Sequence, residues 1–273
     1  MAIITISREL AALGDDTARD LAKLSDYRFI DKQTLEERIK SYGLSPQKLE
    51  KYDERKPSLW ASLSKDRDDY LHYLKVAMFA EAGEGNCVFI GRGASIVFKD
   101  VPAVVSVFLV AAPEIRIERV KNAFRCDDKR ARQIIAQSDR DRSGFHQYFF
   151  DTAWKDPGNY HLVLNTGYFL PEKCAEIIND LKNNIITEET EKQSCAALKD
   201  KMLSQQLVHH ILYEKDVPIH FLEASVSDGR VMLFGVANSQ SLVEAAVAAA
   251  REVDTVSSVH SEIQVIQEYS VMP

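Results

Sequence analysis

The sequence predicts an α/β domain built on a parallel sheet, followed by a small α+β module. Three observations lead there. Cys87-Val88-Phe89-Ile90 is fully apolar and Val104 to Val110 is apolar apart from Ser106, without the polar alternation of a half-exposed strand, so they fit a sheet covered on both faces. Such runs alternate with helical patterns through residue 186, in the order β-α-α-α-β-α-β-α-α-β-α. Then Thr187 to Ser194 contains no apolar residue and the pattern changes to helix, hairpin, helix, strand. The expected division is residues 1–186, a linker or helix extension at 187–196, and a module at 197–273.

In chain order, Ile3 to Ile6 is a β-branched strand, Gly14 marks a turn, and a helix follows with Ala18, Leu21, Ala22 and Leu24 on one face. Tyr27 to Ile30 is a short apolar step ending in Asp31 and Lys32, before a helix over Gln33 to Ser41. Leu44 to Tyr52 reads as a short helix capped by Ser45, and Asp53 to Ser64 as a polar, mobile stretch whose large apolar residue is Trp60. A long helix over Asp66 to Ala82 precedes the strand at Cys87, which runs straight into Gly91-Arg92-Gly93. After the strand at Val104, Pro113 opens a helix. The basic stretch Lys121 to Arg142 occupies two helices, Tyr160 to Asn165 is a strand and Glu172 to Ile185 a helix. Trp154 and Tyr160 are expected to pack in the core.

In the module, a helix spans Ala197 to Tyr213 and strands Ile219 to Val226 and Arg230 to Phe234 flank the hairpin signal Asp228-Gly229. A helix over Ser239 to Arg251 and a strand over Val256 to Ile266 complete it.

Composition narrows the function. With 273 residues, 45% of them hydrophobic, the chain has ample material for a packed core. A net charge of −7 disfavours nucleic acid as a partner. Cys87, Cys126, Cys174 and Cys195 are widely spaced, without a zinc or disulfide pattern, and the histidines have no metal spacing, so no metal site is expected. No apolar run is long enough to cross a membrane and no signal peptide is evident, so the expected location is cytoplasmic.

Two stretches carry chemistry. A strand, a tight loop and a helix open the chain, an arrangement in which backbone N–H groups converge on a phosphate. Gly91-Arg92-Gly93 lies at the C-terminal end of a buried strand, where ligands of open α/β sheets bind, and a guanidinium there can grip a monophosphate.

ITISRE at the start, FIDK at Phe29 to Lys32, VFIGRGA at Val88 to Ala94, VFLVAAPEIRIERV at Val107 to Val120 and NYHLVLNT at Asn159 to Thr166 together resemble the cytidylate-kinase-like family. This is a branch of the P-loop nucleoside monophosphate kinases, with a three-layer parallel sheet. The stretch from Arg230 to Ile266 resembles a BON module, which implies a protein or lipid partner. The resemblance implies a phosphate loop with Ser7, Arg8, Gly14 and Thr17, and a monophosphate site with Asp31, Lys32 and Arg92. It also implies catalytic arginines Arg116, Arg119, Arg140 and Arg142 that close over the phosphoryl group, with ATP and Mg2+ if the protein is active and another nucleotide if it is not.

The loop departs from the family's S-R-x-x-G-S-G-G pattern. Ala11, Ala12 and Leu13 replace small flexible positions and disfavour positive φ, no lysine is present, and Asp15 and Asp16 enter the first helical turn. These two acids read most simply as caps of the helix. A carboxylate about 5 Å from a phosphate charge costs roughly 3 kcal/mol at an effective dielectric near 20. The expectation is therefore a weak or inactive kinase acting as a nucleotide-responsive regulator. The alternatives are an active monophosphate kinase and an assembly protein working through its module, with a homo-oligomer as one form of that assembly. Interleaved acids, among them Asp139 and Asp141, give the lid arginines a second reading as a salt-bridged helix face.

Overall fold

The computed structural model describes residues 1–44, 49 and 64–266. Apart from residues 44 and 49, the expected helix over Leu44 to Tyr52 with its Ser45 cap lies outside the described residues, as does the stretch containing Trp60. The chain divides into two compact units, residues 1–194 and 195–273.

The first unit is a five-stranded parallel sheet in the order β2-β3-β1-β4-β5. Its strands are β1 (Ile3–Arg8), β2 (Arg28–Ile30), β3 (Cys87–Ile90), β4 (Val104–Val110) and β5 (Leu162–Asn165). The central strand β1 sets Ile4 opposite both Val88 and Val105, and Ile6 opposite Ile90 and Val107. Alternate side chains take opposite faces of the sheet. Ile4, Ile6, Val88 and Val107 therefore share one face, covered by helices α1 (Gly14–Ser25) and α7 (Pro171–Ile185) through Ala18, Leu21 and Ile178. Burial of both faces is why β3 and β4 have the bounds their apolar runs predict.

Between these lie α2 (Lys32–Ser41), α3 (Ser64–Gly83), the short α4 (Ala94–Val97), α5 (Pro113–Phe124) and α6 (Asp128–Phe150). The step at Tyr27 to Ile30 turns out to be the edge strand β2, paired to β3. Leu24 does not join the buried face of α1 and is 52% exposed. At 3.6 residues per turn it sits roughly 120° around the helix from Ala18. Trp154 is buried and meets Phe108 edge-on, and Tyr160 stacks on Phe108 at 5.0 Å.

Thr187 to Ser194, expected as a linker or helix extension, is helical from Glu188 onward and belongs to α8 (Glu188–His209). Ser194 is fully buried, and its hydroxyl accepts from Ala103 N at 2.6 Å.

The second unit has the sheet order β6-β7-β8, from β6 (His220–Ser227), β7 (Arg230–Ala237) and β8 (Ser258–Val265), with α9 (Gln240–Arg251) between the last two. The first pair is the antiparallel hairpin announced by Asp228-Gly229, and the second pair is parallel through the α9 crossover. Leu207, Ile211, Leu233, Val243 and Ala246 are buried in one core. The four cysteines are free thiols, and among the described residues no helix is long and apolar enough to cross a membrane.

Candidate functional site

The site is organised by the loop between β1 and α1, at the C-terminal ends of the parallel strands. Its backbone turns through Ala11 at φ 62° and Leu13 at φ 52°, both left-handed. The expectation that these side chains would avoid positive φ is corrected. The loop bends there, and each non-glycine residue carries roughly 1–2 kcal/mol of strain. External hydrogen bonds hold the bends. Arg116 donates from Nε to Leu10 O at 2.8 Å, and Arg119 donates to Ala11 O at 3.0 Å and to Thr166 O at 2.7 Å.

Asp15 and Asp16 lie in the first turn of α1, but neither caps it. The N-cap is Leu13, without a side-chain hydrogen bond. The acids interact favourably with the helix dipole without covering its N–H groups. Thr17 is buried and its hydroxyl donates to Leu13 O at 2.9 Å. Ser7 is buried and hydrogen-bonded to the Tyr160 phenol, which itself donates to Trp154 O at 2.8 Å.

Arg8 crosses this region. A Cβ on Gly14 would stand 2.5 Å from Arg8 Cγ, and one on Gly91 would stand 2.4 Å from Arg8 Nη1, so the two glycines provide the space the arginine fills.

Beside the loop is a cluster of four charges. Arg116, only 4% exposed, forks onto Asp139 with Nη1–Oδ2 3.1 Å and Nη2–Oδ1 2.7 Å, and its Nη1 is 3.1 Å from Glu9 Oε1. Lys155 bridges the same two acids, at 2.9 Å from Glu9 Oε1 and 2.9 Å from Asp139 Oδ2, with its ammonium over the Trp154 ring. Glu9 also accepts from Ala111 N at 3.4 Å. Burial pushes the Asp139 carboxyl up, but hydrogen bonds from Arg116 and Lys155 outweigh it and hold the group below its usual range. Lys155 is lowered by burial and raised further by the same acids, ending above its usual value.

On the other side of the sheet's central strand, Gly91, Arg92 and Gly93 all have positive φ, 75°, 55° and 72°. Arg92 is 4% exposed, with Tyr70 Oη 3.3 Å from Nη1 and Glu36 Oε1 3.4 Å from Nη2. Its guanidinium lies over the Phe145 ring at 5.9 Å. Lys32 approaches the same Glu36 carboxylate at 3.5 Å. Asp31 caps α2, accepting from Thr34 N at 3.0 Å. Arg140 is exposed and donates to Gln137 at 2.6 Å, and Arg142 donates to Ser138 at 2.5 Å, both within α6.

The structure thus gathers Ser7, Arg8, Gly14, Thr17, Arg116 and Arg119 around one loop and sets Lys32 and Arg92 on Glu36. It leaves the hydrogen bonds of Arg140 within their own helix. Sequence reasoning overlooked Glu9, Glu36, Tyr70 and Lys155. Asp139 was read as an acid of a salt-bridged helix face, whereas it pairs with Arg116 of another helix. Among the described residues no group of three His, Cys, Asp or Glu side chains is placed to hold a metal.

A family profile described as the cytidylate kinase-like family matches residues 3–168, and one described as the BON domain matches residues 199–267. Among solved structures, an uncharacterized protein from Eubacterium ventriosum is 19% identical, with a TM-score of 0.54 over 67% of this chain and 99% of that one. A shikimate kinase from Bacteroides thetaiotaomicron is 18% identical, with a TM-score of 0.40 over 67% and 98%. A shikimate kinase from Acinetobacter baumannii is 12% identical, with a TM-score of 0.38 over 67% and 94%. No curated protein matches the chain.

Proposed function

The chain belongs to the cytidylate kinase-like family over residues 3–168, and from that premise we propose that its first unit binds a nucleoside monophosphate on the Arg92 side while its donor site is impaired. The protein is then weak or inactive as a kinase and acts as a nucleotide-responsive regulator, with the BON-like module meeting a protein or lipid partner. The observation that carries this reading is the internal neutralisation of the loop's cations. Arg116 and Lys155 are paired with Glu9 and Asp139, and Arg119 is spent on carbonyls. Phosphoryl transfer depends on cations that offset charge on the migrating group, and cations already paired with carboxylates offset little.

ATP with Mg2+ fits these residues poorly. The Ser7 and Thr17 hydroxyls have internal partners, the loop lacks lysine, and Asp15 and Asp16 add negative charge at the start of α1. On the acceptor side, Arg92 and Lys32 converge on Glu36, a carboxylate that a phosphate would replace. Asp31 caps α2, the helix that carries Lys32 and Glu36.

The test supplies ATP and Mg2+ with CMP, UMP, dCMP or AMP to the full chain. The expected result is monophosphate binding by calorimetry without diphosphate formation. Diphosphate that disappears in Arg92→Ala would establish the active-kinase reading instead. Light scattering of the full chain addresses assembly, and a monomer at all concentrations would exclude a homo-oligomeric role.

A further inference from the structure

Arg8 differs from the other guanidinium groups around the loop. Arg92 has Glu36, Arg116 has Glu9 and Asp139, and Arg119 has two carbonyls. Arg8 has, among the described residues, a single long approach to a carboxylate, Nη2 to Asp15 Oδ1 at 3.9 Å. That exceeds hydrogen-bond length. Its Nε is buried and has no hydrogen-bond partner among the described residues. A buried donor without an acceptor is unfavourable, and an oxyanion that reached it would remove the penalty.

Position gives the unsatisfied group a meaning. The Arg8 stem passes over Gly14, the first residue of α1, and its head reaches Gly91, next to Arg92. A methyl group at either glycine would collide with it as it lies, so the side chain runs to the junction of the two candidate subsites, with 18% of its surface exposed. Nε and Nη2 lie along one edge of the planar guanidinium, the edge that grips two oxygens of a phosphate.

We propose that Arg8 is a phosphate-binding cation of this site, and that its ligand is the phosphate of a nucleoside monophosphate held against Arg92. This rests on the reading that the Arg92 side holds such a ligand. Asp15 competes with the phosphate for the same guanidinium edge.

The experiment is calorimetry of CMP, with cytidine as the phosphate-free control, on the full-length protein and on Arg8→Gln, Arg8→Lys and Asp15→Asn. Circular dichroism confirms folding. CMP is expected to bind the unaltered protein, cytidine to bind at least tenfold more weakly, and Arg8→Gln to lose roughly tenfold in CMP affinity. Arg8→Lys keeps the charge but loses the planar fork, and is expected to weaken binding several-fold. Asp15→Asn is expected to strengthen it. CMP affinity in both Arg8 variants within twofold of the unaltered protein would overturn the proposal while leaving the Arg92 reading intact. If Arg8→Gln does not fold, Arg8→Lys decides by the same criterion. If no nucleoside monophosphate binds the unaltered protein, it is the Arg92 reading that fails. Inorganic phosphate then decides about Arg8: a rise in melting midpoint over chloride that is lost in the Arg8 variants supports it, and an equal rise or none overturns it.

Discussion

Replacing Asp139 by asparagine tests the charge cluster beside the loop. The change preserves shape but leaves Arg116, 4% exposed, with Glu9 as its one charged partner among the described residues, and Glu9 is shared with Lys155. Removing one member of a buried ion pair costs about 3–5 kcal/mol, and the amide oxygen of asparagine still accepts one hydrogen bond, so about 2–4 kcal/mol is expected. Lys155→Met provides the contrast. The Lys155 side chain is 48% exposed, so solvent screens its two ion pairs and the cost is about 0–1 kcal/mol. Urea unfolding followed by tryptophan fluorescence reads the first unit, because both tryptophans, Trp60 and Trp154, precede residue 195.

The pH dependence carries a sign. Burial raises the Asp139 carboxyl, but Arg116 and Lys155 lower it by more, so its folded value is below the usual 3.8. A depressed carboxylate contributes stability that is fully present above the unfolded value and is lost as pH falls through the folded one. The gap between the unaltered protein and Asp139→Asn should therefore be constant from neutral pH down to about 5 and narrow below the usual 3.8. Equal costs for Asp139→Asn and Lys155→Met, or a gap that closes already at pH 6, would refute the assignment of Asp139 as the principal partner of Arg116.

Three further outcomes follow from local geometry. Ala11→Gly relieves roughly 1–2 kcal/mol of left-handed strain against about 0.4–1 kcal/mol of added unfolded-state entropy, so urea titration should show a net gain of about 0.5–1 kcal/mol. Gly93→Ala places a Cβ 2.2 Å from the Phe150 ring at φ 72°, and a loss of about 2–4 kcal/mol is expected in the same titration. Ser239→Ala removes the side-chain cap of α9, which accepts from Leu242 N at 3.4 Å, and should cost the second unit about 1 kcal/mol by thermal unfolding.

The strands and the hairpin were legible in the sequence because their determinants are local. Cys87 to Ile90 and Val104 to Val110 announce themselves through burial on both faces, and Asp228-Gly229 through turn chemistry. Strand β2 was not recognised, because it has three residues and only Ile30 is buried. The tight turn between β1 and α1 and the place of Arg92 at the end of β3 were legible as a pattern, but the partners of the charged residues there were not. Lys155 meets Glu9 across 146 positions and Arg116 meets Leu10 across 106, and no periodicity or motif encodes such encounters. The capping reading of Asp15 and Asp16 went astray for a related reason. The helix starts directly from Leu13 in a left-handed conformation, so no acid stands at the capping position.

The pinning of Leu10 and Ala11 by Arg116 and Arg119 separates the loop's shape from its composition. The loop's path is held by two arginines that grip its main chain from more than a hundred positions away, and by Ala12, which is fully buried in the core. A change of side chain at Leu10, Ala11 or Leu13 would then alter what the loop presents while leaving the main-chain path on which it is presented in place.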